Sequence, residues 1–251
     1  MGFETLKFEE EGRVAVIRLL APPEKGSEVS QLGVELSECC QRFRGNDEGR
    51  VLVVVDSSGA FCIGKGLVEM GNQVAESFSI TESLAEVERP VLVGITGDAV
   101  GLGLELSLAC DVRIASESAR FGLPHLTAGV MPWEGGTQRL LRTVGRAKAL
   151  EMILTGEPID AQEALRIGLV SRLVPDDEVV ATVMKIAQDM SSKSPISMEY
   201  CKEAINKGMD LTLEQGLRLE ADLYFLMHST RDREEGIKAF KEKRKPEFKG
   251  V

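Results

Sequence analysis

The chain has 251 residues, 43% of them hydrophobic and 28% charged, which is enough to bury a substantial core and ordinary for a globular protein in water. Its formal net charge of −10 argues against a nucleic-acid partner, because phosphates need compensating Lys and Arg, yet leaves room for a small anion on a local basic patch. The charged opening MGFETLKFEEEGR has no apolar signal core, and no run approaches the ~18 apolar residues needed to span a bilayer. Five cysteines without CxxC spacing fit reduced thiols and a cytoplasmic location, and two histidines rule out a His-rich metal centre.

In chain order, the β-branched run 14–20 after a Glu-Glu-Gly turn predicts a strand, and the prolines and glycine of 21–27 predict a loop. Val29, Leu32, Val34, Leu36, Cys39, Cys40 and Phe43 fall mostly at helical spacing, predicting a helix over 29–43. The apolar run 50–56 predicts a strand buried on both faces, and 90–95 predicts another. Such alternation of strand and helix implies crossover units and a largely parallel sheet. Past Gly136 the pattern turns to helices over 137–144, 147–155 and 161–167. A brief strand near 169–174 precedes helices 176–190, 195–207 and 212–228, and a last helix ends near Arg244. The expected organisation is a core over 1–193 and a helical extension over 194–251 within one functional unit.

Two glycine turns follow buried strands. In Ala60-Phe61-Cys62-Ile63-Gly64-Lys65-Gly66-Leu67 the glycines flanking Lys65 either expose backbone N–H groups to a ligand or simply end a strand. In Gly97-Asp98-Ala99-Val100-Gly101-Leu102-Gly103-Leu104-Glu105 the turn lacks Rossmann spacing and leads into an apolar helix carrying one carboxylate. Glu105 is either a first-turn acid stabilising the helix N-terminus or a partly desolvated general acid/base.

Together these turns carry a resemblance. Along with Ala109-Cys110-Asp111, Phe121-Gly122-Leu123-Pro124, Gly135-Gly136-Thr137-Gln138-Arg139-Leu140, Leu154-Thr155-Gly156, Gly168-Leu169-Val170 and Lys243-Arg244-Lys245, their order and spacing resemble the enoyl-CoA hydratase/isomerase (crotonase) superfamily over essentially the full length. The resemblance implies an α/β crotonase-like (ClpP/crotonase) fold, with repeated ββα units in two stacked sheets and C-terminal helices used for trimerisation. The expected assembly is a homotrimer or a dimer of trimers. No cofactor is expected to be permanently bound, because a coenzyme A thioester is the substrate, and neither nucleic acid nor membrane is an expected partner.

Carried onto this sequence, the family's oxyanion-hole donors fall on the backbone N–H groups of Lys65 and Leu102, where a thioester enolate would be stabilised. Leu102 stands where family members often carry glycine, keeping the N–H but adding a side chain that narrows the site. Gly66 stands where they often carry aspartate. Of the two glutamates of family hydratases, one matches Glu105 and the other falls on His125, an imidazole able to titrate near neutrality. Glu134, in Met131-Pro132-Trp133-Glu134-Gly135-Gly136, is either a replacement carboxylate for the site or an ordinary helix N-terminal acid. Trp133 would wall an acyl pocket suited to a compact or cyclic group, or belong to the core. Lys25, Lys65, Gly66 and Leu67 are the expected coenzyme A contacts, joined by Phe240 and Lys243 from a neighbouring subunit. The leading expectation is hydration of an enoyl-CoA double bond. The alternatives are an isomerase or hydrolase acting on acyl-CoA, and a catalytically silent CoA-binding homologue.

Overall fold

A computed structural model of the chain describes residues 3–20, 26–56, 61–63 and 79–251. The elements in order are β1 (Leu6–Glu11), β2 (Val14–Leu19), α1 (Gly26–Gly45), β3 (Val51–Asp56), β4 (Cys62–Ile63), α2 (Glu82–Ala85), β5 (Val91–Ile95), β6 (Ala99–Gly101) and α3 (Leu102–Leu108). After β7 (Val112–Ser116), β8 (Arg120–Gly122) and a 3-10 turn (Pro124–Ala128) come α4 (Gly136–Val144), α5 (Arg146–Thr155), β9 (Ile159–Asp160), α6 (Ala161–Arg166) and β10 (Arg172–Val174). The chain closes with α7 (Val179–Ser191), α8 (Pro195–Gly208), α9 (Leu213–Met227) and α10 (Arg231–Glu242).

Strands enter two sheets alternately. The six-stranded sheet has the order β1-β2-β3-β5-β7-β10 and the four-stranded sheet β4-β6-β8-β9. Thus β3 and β4, β5 and β6, and β7 and β8 each send one strand to either sheet, and α3 completes the middle unit as ββα. The hairpin β1–β2 and the pair β8–β9 are antiparallel, and all other pairings are parallel. The fold is the expected crotonase-like arrangement.

The period of two along β3 separates two cores. Leu52 and Val54 join the main cluster, which also takes Val93 and Ile95 from β5, Ala99 and Phe121 from the second sheet, and Leu102, Leu104, Leu106 and Leu108 from α3. Val51, Val53 and Val55 point the other way, against Val183 and Ala187 of α7. Every residue of β3 is buried, as a strand covered on both faces requires.

Helix α3, wedged within the main core, is fixed at its C-terminal end by Arg113. The Arg113 guanidinium donates to the carbonyls of Ser107 (3.3 Å), Cys110 (2.7 Å) and Leu169 (2.6 Å), bringing positive charge to the negative end of the helix dipole. Helices α8, α9 and α10 start on side-chain caps from Ser194, Thr212 and Thr230. The buried Asp232 carboxylate accepts from the N–H groups of Lys249 (2.8 Å) and Gly250 (3.1–3.2 Å), tying the end of the chain to α10. No helix among the described residues is long and apolar enough to cross a membrane.

Several boundaries differ from expectation. Residues 6–11 form a strand where the sequence suggested only a charged lead-in to a turn, because β1 is an edge strand that puts Leu6 into the core and most of its charges outward. Strand β9 adds a second strand past Gly136. Helix α10 stops at Glu242, before Arg244, because Lys243 takes a left-handed conformation (φ 54°). The thiols of Cys39 and Cys110 are pushed up to about 12, and that of Cys40 to about 11, chiefly by burial. They therefore pack as small apolar residues.

Helix α3 approaches the chain before β4 most closely at Gly103. A Cβ there would sit 1.8 Å from the carbonyl oxygen of Phe61, so only glycine lets α3 lie against the chain entering β4. Gly103→Ala is expected to destabilise the protein by about 3 kcal/mol despite alanine's better helix propensity, read from the midpoint of denaturant unfolding.

Candidate active site

Glu105 occupies the first turn of α3 and is fully buried, in a helix whose residues are all buried. An ionised carboxylate there needs hydrogen-bond donors to offset its lost hydration. Oε1 accepts the backbone N–H groups of Glu134 (2.9 Å) and Gly136 (2.8 Å). Bonds of this charge-assisted kind contribute about 1.5–3 kcal/mol each, and the helix N-terminus adds favourable dipole.

Two glycines aim those N–H groups. Gly135 is left-handed (φ 90°) and starts α4. A Cβ on Gly136 would meet Glu105 Oε1 at 2.7 Å and Pro132 Cβ at 2.9 Å. The Gly135-Gly136 pair thus brings main chain within hydrogen-bond reach of the carboxylate.

The other carboxylate oxygen faces His125. Its Nε2 lies 3.2 Å from Glu105 Oε2, with both side chains at 0% exposure. The separation suits a hydrogen bond but the alignment does not. Glu105 Oε2 and both ring nitrogens of His125 make no hydrogen bond to any described residue. Buried polar atoms that face each other without satisfying each other mark a place for a third polar group. The His125 ring also meets Trp133 in a T-shaped contact (centroids 5.4 Å apart, planes at 90°), and Trp133 packs against the main core.

Leu102 begins α3, so its N–H has no intrahelical acceptor. Gly101, at φ 66° and ψ −130°, makes the turn that starts the helix there. Leu102 lies one helical turn before Glu105, while its side chain is fully buried in the main core cluster. Parallel pairing sets Ile63 opposite Gly101.

Glu134 sends its carboxylate elsewhere. Its Oε2 accepts from Ser79 Oγ (2.6 Å), Thr81 N–H (3.2 Å) and Thr81 Oγ1 (3.1 Å). What Glu134 gives the Glu105 cluster is its amide. The structure therefore brings together Glu105, His125, Trp133 and the main chain of residues 134–136. Phe240 is 85% exposed and Lys243 is exposed, both at the end of α10, so neither joins this buried cluster. Lys25, Lys65, Gly66 and Leu67 lie outside the described residues. Sequence reasoning did not anticipate the N–H donors of residues 134 and 136, or the Ser79 and Thr81 hydroxyls. The consecutive glycines opening α4 were the available signal for the first pair.

The sequence profile of the enoyl-CoA hydratase/isomerase family matches residues 9–251. The chain belongs to the enoyl-CoA hydratase/isomerase family. Among similar members, a probable enoyl-CoA hydratase of Rhizobium meliloti (strain 1021) is 39% identical, covering 99% of both chains. A 2,3-dehydroadipyl-CoA hydratase of Escherichia coli (strain K12) is 36% identical over 95% of this chain and 96% of its own. The crystal structure of enoyl-CoA hydratase from Bacillus anthracis superposes with a TM-score of 0.92 at 36% identity, covering 99% of this chain and 100% of the other. Within this enoyl-CoA hydratase/isomerase framework, the buried Glu105–His125 pair and the first N–H of α3 lie one helical turn apart.

Gly136→Ala tests the carboxylate's anchorage. The added methyl is expected to displace Glu105 from its two N–H donors, visible in a crystal structure, and to cost about 1–3 kcal/mol in denaturant unfolding.

Proposed function

We propose that this enzyme hydrates the double bond of an enoyl-CoA thioester. The observation that carries the reading is the pairing of Glu105 Oε2 with His125 Nε2 at 3.2 Å, one helical turn from the Leu102 N–H. Two unsatisfied polar atoms side by side suit a water molecule that contacts both.

In the proposed reaction the thioester oxygen accepts the N–H groups of Leu102 and Lys65, which stabilise the enolate as charge moves onto that oxygen. One member of the Glu105–His125 pair takes a proton from the held water as its oxygen bonds to the β-carbon. The other member gives a proton to the α-carbon. The pair ends with as many protons as it began with, and the thioester gains the elements of water across its double bond. A role for Lys65 in the hole is supported by the register of Ile63 with Gly101 and by the family match.

Lys25, Lys65, Gly66 and Leu67 are assigned to coenzyme A, which serves as part of the substrate, with no permanently bound cofactor. Trp133, against His125, walls the acyl pocket and favours a compact or cyclic acyl group. Phe240 and Lys243 are assigned to a neighbouring subunit's coenzyme A in a homotrimer or dimer of trimers built on the helices of 194–251. Exposed apolar side chains there, among them Leu213 (81%), Phe225 (76%) and Phe240 (85%), support an assembly that covers them. The reading places the enzyme in the cytoplasm.

A single carboxylate with an imidazole partner also suits a double-bond isomerase, which needs only to move one proton between carbons. Deuterium incorporation from solvent without water addition would identify that reaction.

The test is a panel of 2-enoyl-CoA and cyclic dienoyl-CoA thioesters, followed by loss of the conjugated thioester absorbance. Glu105→Gln and His125→Gln are each expected to lower kcat by about 10²–10⁴-fold on the best substrate. Failure of the unaltered protein to hydrate any of them, or full activity in Glu105→Gln, would sink the reading.

A further inference from the structure

Glu134 stands at a junction that the proposed chemistry does not use directly. Its main-chain N–H donates to Glu105 Oε1 (2.9 Å), while its carbonyl and carboxylate are held from the opposite side. The carbonyl accepts from Thr81 Oγ1 (2.9 Å) and Arg139 Nη1 (2.8 Å). The carboxylate Oε2 accepts from Ser79 Oγ (2.6 Å), Thr81 N–H (3.2 Å) and Thr81 Oγ1 (3.1 Å). Arg139 Nη1 also donates to Thr81 Oγ1 at 3.0 Å, so the Thr81 hydroxyl, with one proton to give, is braced between donor and acceptors.

This arrangement has a direction. The Ser79–Thr81 turn is packed in place, with Thr81 only 1% exposed, and leads directly into α2. The preceding Trp133 packs on the core, and the following Gly135 is left-handed. A segment turning through a left-handed glycine has few restraints of its own. The side chain of Glu134 adds a restraint to those that Thr81 and Arg139 place on its carbonyl. We propose that Glu134 is a positioning residue: its carboxylate clamps the 134–136 main chain to the Ser79–Thr81 turn, which fixes the two N–H groups holding Glu105 and leaves Oε2 as the reactive oxygen.

In this role Glu134 is needed as a hydrogen-bond acceptor and not as a proton carrier. Gln keeps an acceptor oxygen on the same stem and loses the ability to exchange a proton at neutral pH. Ala loses both. The kinetic part of the test rests on the hydratase reading, so the full-length protein is first assayed with the enoyl-CoA panel. Given activity, Glu134→Ala is expected to lower kcat by about 10–100-fold with KM changed by less than about threefold, because misplacing an acid/base group by about 1 Å weakens the chemical step more than substrate binding. Glu134→Gln is expected to recover kcat to within about fivefold of the parent. Equal losses in the folded Gln and Ala variants would show that the carboxylate takes part in proton transfer, and a fully active Ala variant would show that the clamp is dispensable. Either result overturns the proposal.

A second readout does not depend on turnover. Hydrogen exchange of the 133–136 main chain should be faster in Glu134→Ala than in the parent, and near the parental rate in Glu134→Gln. Unchanged exchange in a folded Ala variant overturns the clamp, whether or not any enoyl-CoA is hydrated. An inactive parent with the expected exchange pattern would reject the hydratase reading and keep the clamp. If Glu134→Ala does not fold, Thr81→Val removes a clamp hydroxyl at constant shape. It should then show the same faster exchange, and parental exchange in that variant overturns the proposal.

Discussion

A carboxylate with no exposure to solvent is the constraint around which this protein is arranged. Glu105 lies in a helix with every residue buried, so its oxygens must be met by donors delivered to them. The main chain of residues 134 and 136 meets one oxygen, through two N–H groups within 2.9 Å of it. Those donors exist only because Gly136 has no Cβ and Gly135 can turn left-handed. The helix must also stand still for the bonds to form. Gly103 seats it against the Phe61 carbonyl at one end, and at the other the Arg113 guanidinium holds the carbonyls of Ser107 and, just past the helix, Cys110.

This anchorage makes the two oxygens of Glu105 different. One is committed to backbone donors, and the other is turned toward His125. A freely rotating carboxylate would present either oxygen to a substrate, with entropy lost on each encounter. Here the choice is made during folding. The His125 ring is likewise held, by burial and by the edge of Trp133, so the pair is organised before any ligand arrives.

Much of this was legible in the residues themselves. The helical period of α1, and of the helices after Gly136, comes from apolar side chains repeating along single segments. The uninterrupted apolar run of β3 from Val51 to Val55 declared a strand covered twice. Glu105 and His125 stood out because a carboxylate and an imidazole are unusual in apolar surroundings. The second sheet was harder, since β4, β6, β8 and β9 have only two or three residues each and no period can be counted in so few. Strand β1 hid behind its glutamates, which an edge strand carries outward. The destination of the Glu134 side chain was beyond any local pattern. Its partners, Ser79 and Thr81, lie more than fifty residues away, and hydroxyl-bearing residues in a turn announce no particular acceptor. Where Glu134 touches the site, it does so through an amide that every residue but proline possesses, so its identity gave no hint.

That last point bears on how such a site diversifies. Glu105 Oε1 is secured by peptide groups, which stay in place so long as the glycines and the contacts of Glu134 with Ser79 and Thr81 remain. Position 125 carries no share of that anchoring, because His125 makes no hydrogen bond to any described residue. The partner opposite Oε2 can therefore be imidazole or carboxylate without dismantling the scaffold that keeps Glu105 in place. The chemical character of the cluster is thus separable, at this one position, from the architecture beneath it.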